Sequence, residues 1–193
     1  IIDVAGGAQP IYSEDGRYLV IFNGEIYNHE DLRPALLAGG HRFATRSDTE
    51  VLIHLFEDKQ QRFLSSLIGM FAFAVFDTKT EALFLARDRI GIKPLYYYCD
   101  GKQFIFSSEM KAIIKSGLIP VEVDDTVVYR FLTLHHSVPP ETLVKGIVSL
   151  KPGHFLFVKG AQGEQTAYWD IESNAEMPPV PAADADRSQP GLV

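Results

Sequence analysis

The sequence of 193 residues holds a single cysteine, Cys99, so no internal disulfide is available and a structural zinc site of the cysteine type is excluded. The fold must rest on burial, in a reducing compartment or one whose redox state is immaterial. Long hydrophobic runs are also missing. The longest, over residues 70–76, falls far short of the ~20 residues that a membrane helix needs, which predicts a soluble chain with no membrane partner. Positive charge is scarce: 18 Lys and Arg face 25 Asp and Glu, for a formal net charge of −7. A binder of the phosphate backbone concentrates positive charge on one face, so nucleic acid is not an expected partner. The six histidines show neither an H-E-x-x-H pattern nor an i, i+4 pair, and no metal site is predicted from them. No initiator Met or charged-then-apolar leader opens the chain. Residues 1–4 instead read as the end of a strand entering the loop 5–10, as expected of a piece of a longer protein.

What is present suits one packed domain. Apolar residues make up 46% and charged residues 22%, with thirteen Phe and eight Tyr, near the averages for a globular core. Residues 18–22 form a β-rich apolar run after the turn signal Ser13-Glu14-Asp15-Gly16, and predict a buried strand that stops at Asn23-Gly24. Asn28 is an N-cap candidate for a helix carrying Leu32, Leu36 and Leu37, closed by Gly39-Gly40. Ser47-Asp48-Thr49-Glu50 has the capping-box pattern. It predicts a second helix with the stripe Val51, Leu52, Leu55 and Phe56, resumed after a break by Phe63, Leu64 and Leu67. Residues 70–76, 82–86, 95–98 and 104–106 read as four short strands of an antiparallel sheet. Helices are expected over 107–114 and 124–132, late strands over 154–158 and 166–169, and a solvated Pro/Ala/Asp-rich linker over 172–193.

Few of these segments carry chemistry unaided. Asn23-Gly24 reads first as a hairpin turn. Only three residues separate it from the helix cap at Asn28, however, so a second reading stays open, in which the Asn carboxamide and the Gly backbone N–H receive a developing oxyanion. Asp48 complements the dipole of the helix it begins, and that reading leads; the alternative is a carboxylate receiving a substrate ammonium. Cys99 has no neighbouring His or Lys to activate it and reads as a tolerated thiol. The loop Arg87-Asp88-Arg89-Ile90-Gly91-Ile92-Lys93-Pro94 lacks a Walker or G-x-G-x-x-G pattern and reads as structural, its alternating charges paired locally. Ser107-Ser108-Glu109 is either a capped helix start or a ligand-facing edge.

In order along the chain, Phe22-Asn23-Gly24-Glu25-Ile26-Tyr27-Asn28-His29, Ser47-Asp48-Thr49-Glu50-Val51, Gly69-Met70-Phe71-Ala72-Phe73-Ala74, the stretch from Ala86 through the Arg87–Pro94 loop to Tyr97, and Ser107-Ser108-Glu109-Met110-Lys111-Ala112 resemble the glutaminase domain of class II, N-terminal-nucleophile glutamine amidotransferases. Within that group they are most similar to the glutamine-hydrolysing asparagine synthetases. The resemblance spans residues 1–171 as one partial domain. It implies an α+β fold, a four-layer αββα sandwich of two antiparallel sheets, here N-terminally truncated. It further implies a cysteine at the mature terminus that attacks the glutamine carboxamide, giving a glutamyl thioester and ammonia before water releases glutamate. By match to the motifs, Asn23 and Gly24 form the oxyanion hole, while Ile1, Ile2, Glu25 and Asp48 bind the amino-acid end of glutamine, Asp48 through its ammonium. This reverses the order of the two readings given above for Asn23 and Asp48.

The departures from that family's pattern are as informative. The terminal Cys, an Arg-His-Arg-Gly-Pro-Asp segment and an Arg-Leu-Ser run are not among these residues, nor is the Ser-Gly-Gly-x-Asp-Ser loop that binds ATP. Cys99 cannot substitute, because an internal residue has no free α-amine to serve as base. The expectation is a cytoplasmic chain with no cofactor of its own, inactive alone. Its complete form would pair with a synthetase domain using ATP and Mg, amidate aspartate or a related acceptor, and form a homo-oligomer. The alternative is a non-catalytic remnant acting as a binding or interaction domain.

Overall fold

A computed structural model describes residues 2–3 and 6–171; Ile1 and the linker expected over 172–193 lie outside the described residues. The chain opens with β1 (Ile11–Tyr12) and β2 (Tyr18–Ile26), then α1 (His29–Ala38), α2 (Asp48–Lys59) and a 3₁₀ segment Gln60–Ser66. β3 (Gly69–Asp77), β4 (Ala82–Arg87), β5 (Tyr96–Cys99) and β6 (Phe104–Ser107) follow, then α3 (Met110–Lys115), α4 (Asp125–Leu134), β7 (Ile147–Ser149), β8 (His154–Lys159) and β9 (Gln162–Ala167). Two antiparallel sheets result, ordered β1-β2-β3-β4-β8-β9 and β6-β5-β7.

The layers follow from which faces are apolar. On one side of the larger sheet Val20, Phe71, Phe73 and Phe84 meet Val51, Leu52, Leu55 and Phe56 of α2 and Phe63 and Leu64 of the 3₁₀ segment. The other side carries the small residues Ala72 and Ala74 beside Leu85 and Leu156, so the second sheet packs closely through Leu95 and Leu150, with Tyr97 and Phe106 alongside. Beyond it, Tyr98 and Ile147 are covered by Ile113 of α3. Helix, sheet, sheet and helix are the four layers of the expected sandwich.

Several local expectations fail for reasons the packing supplies. β2 does not stop at Asn23-Gly24 but pairs with β3 to its end, Ile26 opposite Gly69, so the hairpin-turn reading is wrong. The strands approach closely there: a Cβ on Gly24 would meet the Met70 carbonyl oxygen at 2.1 Å, and one on Gly69 would meet that of Glu25 at 2.2 Å. Glycine at both positions is what keeps the ladder closed. The four central strands do not share a sheet, since β3 and β4 belong to the larger and β5 and β6 to the smaller. The Arg87–Pro94 loop makes the crossing, and its charges serve the backbone instead of each other. Buried Arg87 donates to the carbonyls of Gly91, Lys93 and Leu150 and to the Ser149 hydroxyl. Asp88 accepts from the amides of Phe71, Ile92 and Lys93. Arg89 donates to the carbonyls of Leu67 and Ser65.

Asn28 precedes α1 but makes no side-chain cap. Its carboxamide donates to the Ser66 carbonyl and accepts from the Ile68 amide, tying α1 to the entry of β3. The capping box is half formed: Ser47 accepts from the Thr49 amide, whereas Glu50 turns to the amides of Ala44 and Thr45 and the Thr45 hydroxyl. β6 runs through Ser107, so α3 begins three residues later than its pattern suggested. β1 and β7, of two and three residues, are too short to show a period.

Candidate active site

The geometry of the site starts from the free edge of β2. β1 covers that edge only at Leu19 and Val20. Beyond it the Gln9 carboxamide takes the place of a strand, accepting from the Phe22 amide at 2.6 Å and donating to the Phe22 carbonyl at 2.8 Å. Two peptide pairs further on, the Ile26 amide donates to Asp48 Oδ2 at 2.9 Å. Gly24 lies between these two closed positions. Its partner Phe71 directs both its amide and its carbonyl to Asp88, so Gly24 and Phe71 form a pair without mutual hydrogen bonds. The Gly24 N–H therefore faces the open edge, between Gln9 and Asp48.

A cavity of about 320 Å³ occupies that edge, lined by Ile2, Gly7, Gln9, Phe22, Asn23, Gly24, Glu25 and the start of α2 at Ser47, Asp48 and Thr49. The structure thus brings together Ile2, Asn23, Gly24, Glu25 and Asp48, five of the six residues singled out in the sequence; Ile1 is outside the described residues. Asp48 is 6% exposed. One carboxylate oxygen is used by Ile26 and the other has only a 3.5 Å contact from the Ser47 hydroxyl, leaving acceptor capacity at a helix N-terminus. The cavity accordingly offers an N–H donor from the strand edge and a carboxylate on its helical wall.

Residues that the sequence did not single out for the site build the walls. Asp3 accepts from the amides of Gly6 and Arg46, and its own carbonyl accepts from Gly7, which seats the segment of Ile2 and Gly7 against the loop leading to Ser47. Those amides, Arg46 first, hold its carboxyl below the usual range. Glu50 fixes the other end of the same loop. Burial opposes its ionisation, but His54, the Thr45 hydroxyl and the amides of Ala44 and Thr45 outweigh it and hold the pKa at about 2. At 3.9 Å the contact between Glu50 and His54 Nε2 exceeds hydrogen-bond reach, so His54 acts on Glu50 through charge.

A second cavity of about 270 Å³ opens between the sheets and shares Gln9, Phe22 and Asn23 with the first. Ser107 and Ser108 line it, so this segment is an edge facing a cavity, and Ser107 also accepts from the Glu109 amide. Cys99 is exposed at the end of β5 and donates to the Ala161 carbonyl; it lines neither cavity. Among the described residues no helix is long and apolar enough to cross a membrane.

Comparison with known proteins places these features in a wider set. Residues 1–169 match the family model described as a glutamine amidotransferase domain. The chain is 43% identical over 177 residues to glutamine-hydrolysing asparagine synthetase 3 of Bacillus subtilis (strain 168), covering 90% of this chain and 29% of that protein. It is 49% identical over 115 residues to glutamine-hydrolysing asparagine synthetase 2 of Oryza sativa subsp. japonica, covering 58% of this chain and 19% of that protein. The chain spans less than a third of the length of these relatives. Among solved structures it is similar to an allosteric regulatory enzyme of purine biosynthesis, with a TM-score of 0.62 at 22% identity over 85% of this chain and 32% of that one. It is also similar to the glutamine phosphoribosylpyrophosphate amidotransferase of B. subtilis, with a TM-score of 0.58 at 23% identity over 84% of this chain and 32% of that one. At these identities the structural likeness is one of fold.

Proposed function

Since the chain belongs to the glutamine amidotransferase domain family, we propose that the cavity at the β2 edge is a glutaminase site. The observation that carries this reading is the Gly24 N–H left facing a cavity that also holds Asn23 and the Asp48 carboxylate. Glutamine enters with its ammonium on Asp48, while Glu25 and the main chain around Ile1 and Ile2 hold the rest of its amino-acid end. Its amide oxygen then lies toward the Asn23 carboxamide and the Gly24 N–H. When a thiolate adds to the amide carbon, the C=O electron pair moves onto that oxygen, and the Gly24 N–H, held by the strand, and the Asn23 carboxamide stabilise the charge. The oxyanion collapses, the C–N bond breaks and ammonia leaves with a proton from the terminal amine. A thioester remains, which water hydrolyses to glutamate.

None of the lining residues is a cysteine, so these 193 residues alone are proposed to bind glutamine without turning it over. In the complete protein, by likeness to its relatives, the ammonia would amidate aspartate or a related acceptor in the cytoplasm, within a homo-oligomer and at the expense of ATP held with Mg. The Ser-Gly-Gly-x-Asp-Ser loop that would hold the ATP is not among these residues. The test separates binding from chemistry. Asp48→Asn keeps an acceptor for the Ile26 amide and removes the charge, so calorimetry should show L-glutamine binding weakened by ~10-fold or more. In a form beginning with the nucleophilic Cys, Asn23→Ala should lower kcat ~10²–10³-fold. Unchanged binding in the first variant, or near-normal turnover in the second, overturns the corresponding assignment.

A further inference from the structure

Beside the middle of α2, away from the glutaminase cavity's lining, three side chains from distant parts of the chain converge. Glu14 comes from the β1–β2 turn, His41 from the α1–α2 loop and His54 from the middle of α2, and one ligand atom from each lies within 4.8 Å of the others. His54 is 1% exposed, and its Nε2 is buried with no hydrogen-bond partner. Its Nδ1 is held by Glu57 at 3.0 Å. His41 is oriented in the same way, with Nε2 on Asp58 at 3.0 Å and Nδ1 3.6 Å from Glu57, beyond hydrogen-bond reach. Each imidazole therefore has one nitrogen hydrogen-bonded to a carboxylate, the arrangement that orients histidine on a metal ion, and the other without a hydrogen bond, 3.9 Å from Glu50 in His54 and 3.6 Å from Glu57 in His41. Four carboxylates, those of Glu14, Glu50, Glu57 and Asp58, surround the two rings.

We propose that Glu14, His41 and His54 form a binding site for one divalent cation of the zinc type, separate from the glutaminase cavity. Two imidazoles with one carboxylate suit Zn²⁺, Co²⁺ or Ni²⁺, whereas Mg²⁺ and Ca²⁺ take oxygen ligands. A tetrahedral zinc ion sets its ligand atoms roughly 3.3 Å apart, so the cluster draws in slightly on binding. Glu14, which accepts from the Arg42 amide through one oxygen, lies on a turn and His41 on a loop, while His54 is in the core. Water completes the coordination on the exposed Glu14 side. The cation satisfies the stranded Nε2, in place of any proton there, and clamps the β1–β2 turn and the α1–α2 loop to α2. That loop runs directly into Ser47 and Asp48, so the clamp steadies one wall of the cavity.

The test uses the chelator-treated chain carrying Cys99→Ser, so that no thiol contributes. Calorimetry with Zn²⁺ should give one equivalent bound in the micromolar range or tighter, with a melting temperature raised by a few degrees. Co²⁺ should develop the visible absorption of a tetrahedral nitrogen-oxygen site. Glu14→Gln and His41→Gln, both outside the core, should each weaken Zn²⁺ binding by ~10-fold or more while leaving the metal-free melt near that of the parent. Mg²⁺ at millimolar concentration should not shift the melt. Absence of stoichiometric Zn²⁺ binding, binding undiminished in both variants, or equal stabilisation by Mg²⁺ overturns the site.

Discussion

Helices α2 and α4 differ little in length, at twelve and ten residues, and both begin at a residue whose side chain accepts a first-turn amide, Ser47 in one and Asp124 in the other. Their surroundings diverge. Every residue of α2 from Asp48 to Phe56 is buried, and its apolar residues from Val51 to Phe56 share one core with the phenylalanines of β3 and β4. α4 buries only Val127 and leaves Tyr129 at 74% and Leu132 at 68% exposure. A helix of ten residues is marginal on its own and takes its stability from packing an apolar face. The α2 layer therefore carries the stability of the domain, and α4 belongs to its least protected part. Capping and periodicity tell where a helix forms; they do not tell how much of it is covered.

The sharpest way to break this comparison is at Phe73, 2% exposed and flanked by the rings of Phe63, Phe71 and Phe84. Phe73→Ala should cost ~3–5 kcal/mol in urea unfolding, as a large cavity opened under α2 does. A loss below ~1 kcal/mol would show that the stability resides elsewhere. A smaller effect is expected at the rim of the same sheet. Arg17 donates to both carboxylate oxygens of Asp77 at 3.2 and 2.8 Å. Arg17 first, with the amides of Lys79 and Thr80, holds the Asp77 carboxyl far below its ordinary 3.8. A depressed pKa means the contribution is complete above the unfolded value and is lost as pH falls below about 4. Acid titration of stability should therefore steepen there in the parent and flatten in Asp77→Asn; identical acid limbs would remove the pair from the account. The smallest change is expected on α4, where Leu132→Ser should shift stability by no more than ~0.5 kcal/mol. A larger loss would mean that α4 is covered in solution.

Much of the fold is legible from short range. The start of α2 at Ser47, the stripe Val51 to Phe56, the Gly39-Gly40 stop and the apolar runs of β3 and β4 can each be read from a few neighbouring residues, because capping and side-chain periodicity are local. The αββα layering and the grouping of Asn23, Gly24, Glu25 and Asp48 came from resemblance, whereas the residues alone favoured a turn at Asn23-Gly24. That local preference is overruled because Gly24, opposite Phe71, and Gly69, opposite Ile26, let the two strands approach closely and β2 continue. Arg87 and Asp88 were legible as charges but not as the hub between the sheets, since their partners are mostly main-chain groups, which leave no trace in composition. Gln9 and Asp3 were missed for the same reason.

The one-dimensional order of residues decided where this chain turns, where its helices begin and which faces are apolar, since each depends on groups within a few peptide units. Only the folded arrangement decided that the Gly24 N–H would point at an open edge, that a glutamine side chain would stand in for a missing strand beside it, and that Glu14, His41 and His54 would meet. Those outcomes depend on how strands and helices pack against each other, and close-packed side chains bring groups into contact whatever their separation along the chain.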